Sequence, residues 1–283
     1  MVEDLGETLV NGFETWKDNI VISLPHIFNM VITSVVSIAI IGGAVFMTVP
    51  SIAPLLVDMP DMPLIYLLSV FSQILENSVP IIIAVTTALI FSMLIGAFFN
   101  AGAIGMAKEA TEKGKTDLSE MMSYAKKKFA SLFFASLLIN LITFLGVLFL
   151  IPGLLKVIPL ISSSSSVSPT QAFLSAIPLL VLGFLATGIY ILIISIIFAP
   201  TRYAIVINDL QAIEGIKEGL KFFMDNKISV FLLFLVVSVA MMLPSFLLGS
   251  VPHVGGVLSM ILTVVLIQPL VVLWWSRLYL RTI

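Results

Sequence analysis

Six stretches of this chain contain no Asp, Glu, Lys or Arg: Ile27–Val49, Ile81–Ala103, Ala130–Leu155, Ala176–Phe198, Ile228–Leu248 and Gly256–Trp275. A helix that crosses the hydrocarbon of a bilayer needs about 20 apolar residues, and each stretch meets that length. Hydrophobic residues make up 59% of the chain and its mean hydropathy is +1.17, well above the roughly 45–50% apolar content of a soluble domain. The sequence therefore predicts an all-α, polytopic membrane protein with six transmembrane helices.

The segments leading into the odd-numbered stretches share a pattern. Sliding the N-terminal segment by 207 positions matches Glu7 to Glu214, Gly12 to Gly219, Asp18 to Asp225 and Asn19 to Asn226, with Trp16 falling on Phe223. A looser copy runs from Asp117 to Phe133, with Leu118, Met122, Ala125 and Phe129 at its apolar positions. Leu5, Leu9, Phe13 and Trp16, like Ile213, Ile216, Leu220 and Phe223, recur every three or four residues, which is the spacing of an amphipathic helix. The chain reads as one membrane domain of three hairpin repeats, about 1–108, 109–208 and 209–283, each an amphipathic helix followed by two spans.

Charge sets the expected orientation. Thirteen of the 14 Lys and Arg residues fall on one side of the six spans and only Lys156 on the other, so that side and both termini are expected in the cytoplasm of a cell membrane. Glu3, Asp4, Glu7, Glu14 and Asp18 stand where a cleavable signal would be basic and then apolar. Lys126, Lys127 and Lys128 end the second amphipathic segment beside the membrane, where each cation near an anionic leaflet contributes about 1 kcal/mol. They are read, with Trp16 and Phe223, as lipid-surface contacts. In the outer connections, Met62–Leu75 is expected to lie in the interface or to re-enter the membrane, Ser162–Ser166 to form a polar tip, and Asp58 and Asp61 to be solvated.

The inner ends of the even-numbered spans also correspond: Asn100, Pro200, and Gln268 with Pro269, followed eight residues after 100, 200 and 269 by Lys108, Asn208 and Arg277. A proline in an apolar helix removes one N–H and kinks it, so these are read as kink or packing positions in all three hairpins. Thr86, Thr87, Asn140, Thr187 and Tyr190 are read as interhelical glue, and Gly42, Gly43, Gly96, Ala101 and Gly102 as close helix contacts. Cysteine is absent, His26 and His253 fall on opposite sides of the membrane, and no His-Glu-x-x-His, phosphate-binding loop or Gly-x-Ser-x-Gly occurs. No catalytic, metal or cofactor residue is assigned, and no enzyme activity, cofactor or nucleic-acid partner is expected.

Phe198-Ala-Pro-Thr-Arg-Tyr203 and Ile213-Glu-Gly-Ile-Lys-Glu-Gly-Leu220, with Gly114 and Lys115 before another copy, resemble a broad group of poorly characterised six-helix membrane proteins of archaea and bacteria. Similar domains form the membrane part of some glycerophosphodiester phosphodiesterases. The catalytic domain of those enzymes has no counterpart here, so the resemblance implies the fold and transfers no functional residue. The expected function is a non-enzymatic membrane protein that organises protein partners or lipids at the cytoplasmic face. The alternative is a channel or transporter for an apolar or lipid-like solute; a deep polar-lined cavity closed to the lipid would favour it, and a solid bundle with exposed apolar grooves would favour the first. Membrane lipids are the expected partners, with a protein partner or a second copy of the chain left open.

Overall fold

The computed structural model describes residues 4–49, 64–161, 169–252 and 254–281, and these are helices joined by short turns, with no strand among them. The chain runs through α1 (Leu5–Asp18), a 3-10 turn (Ile20–Ser23), α2 (Leu24–Ser37), a π-helical turn (Ile38–Gly42) and α3 (Gly43–Thr48). It continues with α4 (Leu64–Glu76), α5 (Ser78–Lys113), α6 (Leu118–Phe144), a 3-10 segment (Leu145–Leu150), α7 (Ile151–Ile161) and α8 (Pro169–Phe198). The last part comprises α9 (Thr201–Ile207), α10 (Ala212–Asp225), α11 (Lys227–Leu248), α12 (Gly255–Leu262), a second π-helical turn (Thr263–Ile267) and α13 (Gln268–Leu280). Asp58, Asp61, Ser162–Ser166 and His253 lie outside the described residues. Of the first outer connection, Leu64–Glu76 is helical.

Among the described residues, six helical segments are long and apolar enough to cross a membrane: Ile20–Thr48, Ser78–Lys113, Leu118–Lys156, Ala176–Ile207, Lys227–Leu248 and Gly255–Leu280. Their outward surfaces are apolar. Phe246 is 84% exposed and Met47 83%, together with long rows of Leu, Ile and Val on α5, α8 and α11. Water would penalise so large an apolar surface, whereas hydrocarbon does not.

Most of the buried core gathers at one end, where the charged residues also collect. Ile104, Met106, Tyr203, Ile205, Leu273, Trp275 and Tyr279 are buried there, where α1, α9 and α10 pack on the ends of α5, α6 and α13. Local signals start the helices cleanly. Asp4 caps α1 and its N–H donates to Glu7 Oε2 at 3.1 Å, while the Gln211 N–H donates to Glu214 Oε2 at 3.2 Å at the start of α10. Asp117 caps α6 by accepting from the N–H groups of Ser119 and Glu120. Gly114 closes α5 at φ +81°, a conformation glycine adopts without a Cβ penalty, so α5 and α6 meet in a tight hairpin.

Each helix that precedes an odd-numbered span docks on the end of an even-numbered one: α1 on α13, the start of α6 on α5, and α10 on α9. Small residues make these approaches. A Cβ on Gly12 would lie 2.5 Å from Trp274 Cδ1, and one on Gly219 would lie 2.6 Å from the Thr201 Cα. Gly102 faces Met121 in the same way. The amphipathic stripe expected from the sequence faces inward in part, with Leu5, Leu9 and Trp16 of α1 and Ile216 and Phe223 of α10 packed against the core. Thr8 and Gly12 on α1, and Gly215, Gly219 and Phe222 on α10, face the bundle, while Phe13, Ile213 and Leu220 stay exposed. The close-contact expectation holds at Ala101 and Gly102 but not at Gly43, where a Cβ would meet nothing within 4 Å, nor at Gly42, whose nearest neighbour is Ile38 one turn back in the π turn.

The three inner ends are not equivalent kinks. α5 passes through Asn100 without a break. At Pro200 the helix stops, α8 ending at Phe198 and α9 starting at Thr201, because the missing N–H and the ring end the α-helical ladder. Pro269 sits in the first turn of α13, directly after a π-helical turn, and the Val265 carbonyl that it leaves without an N–H accepts from Ser23 Oγ at 2.7 Å.

Candidate functional site

Between the spans lies a cavity of about 510 Å³, partly open and lined by residues of six elements. One face of α5 contributes Met93, Gly96, Ala97 and Asn100, at the i, i+3, i+4, i+7 spacing that keeps residues on one side of a helix. One face of α6 contributes Leu132, Ala135, Ser136, Ile139, Asn140 and Thr143. The break at Pro200 lets the chain turn under the bundle, so that Ile194, Ser195 and Phe198 from α8 and Thr201, Arg202, Tyr203 and Ile205 from α9 all reach the same space. Phe234 and Val237 of α11 and Val271 and Trp275 of α13 complete the wall. Small residues at Gly96, Ala97 and Ala135 create the room. Tyr203 and Trp275 are both buried, with ring centroids 5.9 Å apart and planes 22° apart.

The lining is amphipathic. Asn140 Nδ2 donates only to Met93 Sδ, at 3.7 Å, and the Asn100 amide makes no hydrogen bond to a described residue. Arg202 is the one charged side chain of the lining, which holds no carboxylate. Space of this size, mostly apolar with a few convergent polar groups, is what small-molecule sites offer. It is suited to binding and orienting a molecule with an apolar part and a polar end; no general base, nucleophile pair or metal-ligand set lines it.

The lysine run behaves differently from a uniform lipid anchor. Lys126 is exposed, but Lys127 Nζ lies 2.7 Å from Asp209 Oδ2, and Lys128, 3% exposed, places Nζ 2.7 Å from Asp209 Oδ1 and 3.1 Å from the Leu210 carbonyl. Hydrogen bonds from Lys127 and then Lys128 hold the Asp209 carboxyl down at about 2. Ser131 Oγ donates to Gln211 Oε1 beside them, so α6 is stitched to the α9–α10 turn. Trp16 and Phe223 are half-buried and pack against the core, and the Trp16 indole N–H donates to Ser23 Oγ at 3.2 Å.

Of the kink or packing residues, Asn100 enters the cavity, Pro200 lies buried beside it, and Gln268 lies outside the lining, next to the buried Pro269. Thr187 and Tyr190 do bridge helices, donating to the carbonyls of Gly146 and Ile142, whereas Thr87 bonds within its own helix. Sequence reasoning missed Arg202, Ser136 and Ser195 as a group. The available signal was that Arg202 follows Pro200, where the chain must turn back under its own span.

Residues 55–278 match the model of a family described as a domain of unknown function, DUF7847. The chain belongs to that family. An uncharacterized protein of Archaeoglobus fulgidus is 26% identical over 292 residues, covering 99% of this chain and 96% of the relative. No solved structure matches. Within the DUF7847 match lie all the residues that line the cavity, Met93 through Trp275.

Proposed function

We propose that this DUF7847 protein is a non-enzymatic, multi-pass membrane protein built of three hairpin repeats, and that it takes up a lipid-like amphiphile in the cavity between them. The cavity carries the reading: about 510 Å³ of space inside a bundle whose outer surface is apolar, with the amide and hydroxyl groups of Asn100, Ser136, Asn140 and Ser195 set among Leu, Ile, Phe and Val side chains. This favours the solute-handling alternative over a purely scaffolding role.

The repeat is supported by matched positions doing matched work. Glu7 and Glu214 each accept from the N–H of their own cap residue, Gly12 and Gly219 each admit a neighbour closer than a Cβ would allow, the Trp274 ring and the Thr201 backbone, and Asn19 and Asn226 each donate to the carbonyl four residues back. The basic asymmetry supports a cytoplasmic placement of the charged end and of α1, the start of α6 and α10. The likeness to the membrane part of some glycerophosphodiester phosphodiesterases belongs to this proposal and brings no catalytic residue with it.

A second reading, contact with a leaflet or a partner at the cytoplasmic face, is favoured by α10, where exposed Ile213, Leu220 and Met224 stand beside exposed Lys217 and Lys221. Native mass spectrometry of the full chain, purified in a mild detergent, separates the two. A tightly retained lipid-sized mass that is lost when Ala135→Phe fills the cavity supports the cavity reading. Retention unchanged by Ala135→Phe in a protein of normal melting temperature overturns it.

A further inference from the structure

Resting on the cavity reading, we infer that Arg202 receives the head group and that the amphiphile is therefore one carrying an oxyanion, a phosphate or a carboxylate. The argument begins with where the basic residues of the charged end spend their charge. Lys108 donates to the Ile207 carbonyl, Lys113 pairs with Glu109, Lys127 and Lys128 with Asp209, and Arg277 and Arg281 donate to Thr15 and Thr8. Exposed Lys115, Lys126, Lys217, Lys221 and Lys227 make no such contact with a described residue, and neither does exposed Arg202, but of these Arg202 alone borders a cavity, at the foot of a transmembrane span. A guanidinium at the edge of a low-dielectric space is costly without an anion or water, and its planar fork of donors matches the two oxygens of a phosphate or carboxylate.

The chain around Arg202 builds this placement. Tyr203 is buried and stacked on Trp275, and Thr201 is buried with its backbone against Gly219, so the residue between them is held on both sides while its own side chain stays accessible. The uncharged donors of Asn100 and Asn140 supply further polar contacts within the same lining, and no acidic side chain of the lining competes for the cation. The apolar side chains Ile139, Ile194, Phe234 and Val237 are then free to take an acyl chain.

The test compares dioleoyl phosphatidate with dioleoylglycerol, which has the same chains and no charge, on the full delipidated protein by native mass spectrometry, with inorganic phosphate as a third probe. Wild type is expected to retain phosphatidate at least about tenfold more tightly than dioleoylglycerol, the effect of one well-made charge-assisted pair of roughly 1.4 kcal/mol. Arg202→Gln should erase that ratio while keeping dioleoylglycerol retention, and Arg202→Lys should restore part of it. Equal retention of the two lipids, or a ratio that survives Arg202→Gln, overturns the head-group inference and leaves the cavity reading standing. Retention of neither lipid overturns both. Saturation by inorganic phosphate without any contribution from the acyl chains overturns the amphiphile and assigns Arg202 to a free anion.

Discussion

The ammonium of Lys128, buried on α6, lies 2.7 Å from Oδ1 of Asp209, which itself adopts φ 59° in the turn between α9 and α10. The pair ties α6 to the turn between α9 and α10, and its partners differ in exposure: 4% of the lysine side chain is accessible against 55% of the aspartate. Removing Asp209 leaves a buried cation with one carbonyl, so Asp209→Ala should cost about 2 kcal/mol, below the 3–5 typical of a fully buried pair because solvent screens the aspartate. Lys126→Gln should change the melting temperature little, and Lys128→Met with Asp209→Ala should cost less than the two singles summed.

Acid should dissolve the same contact. The Asp209 carboxyl is held at about 2 against an ordinary 3.8, so its contribution is complete above about pH 4 and is lost as pH falls towards 2. Thermal unfolding of the detergent-solubilised protein should show a smaller acid-dependent loss in Asp209→Asn than in wild type over that interval; parallel curves would remove the pair from the account.

At the glycine contacts the identity of the neighbouring atom sets the cost. A Cβ on Gly219 meets the backbone of Thr201, whereas one on Gly12 meets the ring of Trp274. Overpacking typically costs 1–3 kcal/mol, so Gly219→Ala should lie near about 3 kcal/mol and Gly12→Ala near about 1. Gly6→Ala, with nothing within 4 Å, should be neutral or stabilising in α1. Equal penalties for all three, read by thermal denaturation, would contradict the close approach.

Orientation can be read directly, because the chain has no cysteine to compete with an introduced one. Lys115 and Lys156 are both exposed, one in the α5–α6 turn and one on α7 beyond the other end of α6. With the charged end in the cytoplasm, Lys156→Cys should react with an impermeant maleimide on intact cells and Lys115→Cys only after permeabilisation. The reverse pattern would invert the proposed topology.

Trp16 and Phe223 occupy matched places and pack on the same core. Trp16→Asp and Phe223→Asp should each destabilise by about 3 kcal/mol or more, since either carboxylate would be pressed against apolar side chains without a partner. Glu14→Gln, on the exposed side of α1, is the control. Tolerance of the charge at Trp16 alone would make α1 dispensable and the first repeat spurious.

The spans were legible because hydropathy reports directly on the solvent a helix can tolerate. Their ends were less so. The uncharged run Ile81–Ala103 marks lipid, but the helix continues to Lys113 because Ala107, Ala110 and their neighbours pack on α6 and α13. Periodicity identified α1 and α10 and their inward Leu5, Leu9, Trp16, Ile216 and Phe223, but not Gly12 or Gly219, since a glycine that admits a ring or a backbone carries no hydropathy signal of its own. The cavity was illegible for another reason. Asn100, Ser136, Asn140, Ser195 and Arg202 belong to four helices, and only the turn at Pro200 brings the last of them beneath the others.

The docking of α1 on α13 has a consequence for how the molecule is made. The Trp274 indole N–H donates to the carbonyl of Leu9, 265 residues earlier, and Arg277 and Arg281 reach back to Thr15 and Thr8. At roughly 5–20 residues per second of synthesis, the first helix waits on the order of 10–50 seconds for its seat to exist. During that interval the face around Gly12 lacks the Trp274 ring that covers it in the finished protein. The ring of inner helices therefore closes as a clasp, fastened only after the final span has left the insertion machinery. A nascent chain cut short before Gly255 would carry five of the six long apolar helices and an unfastened first helix.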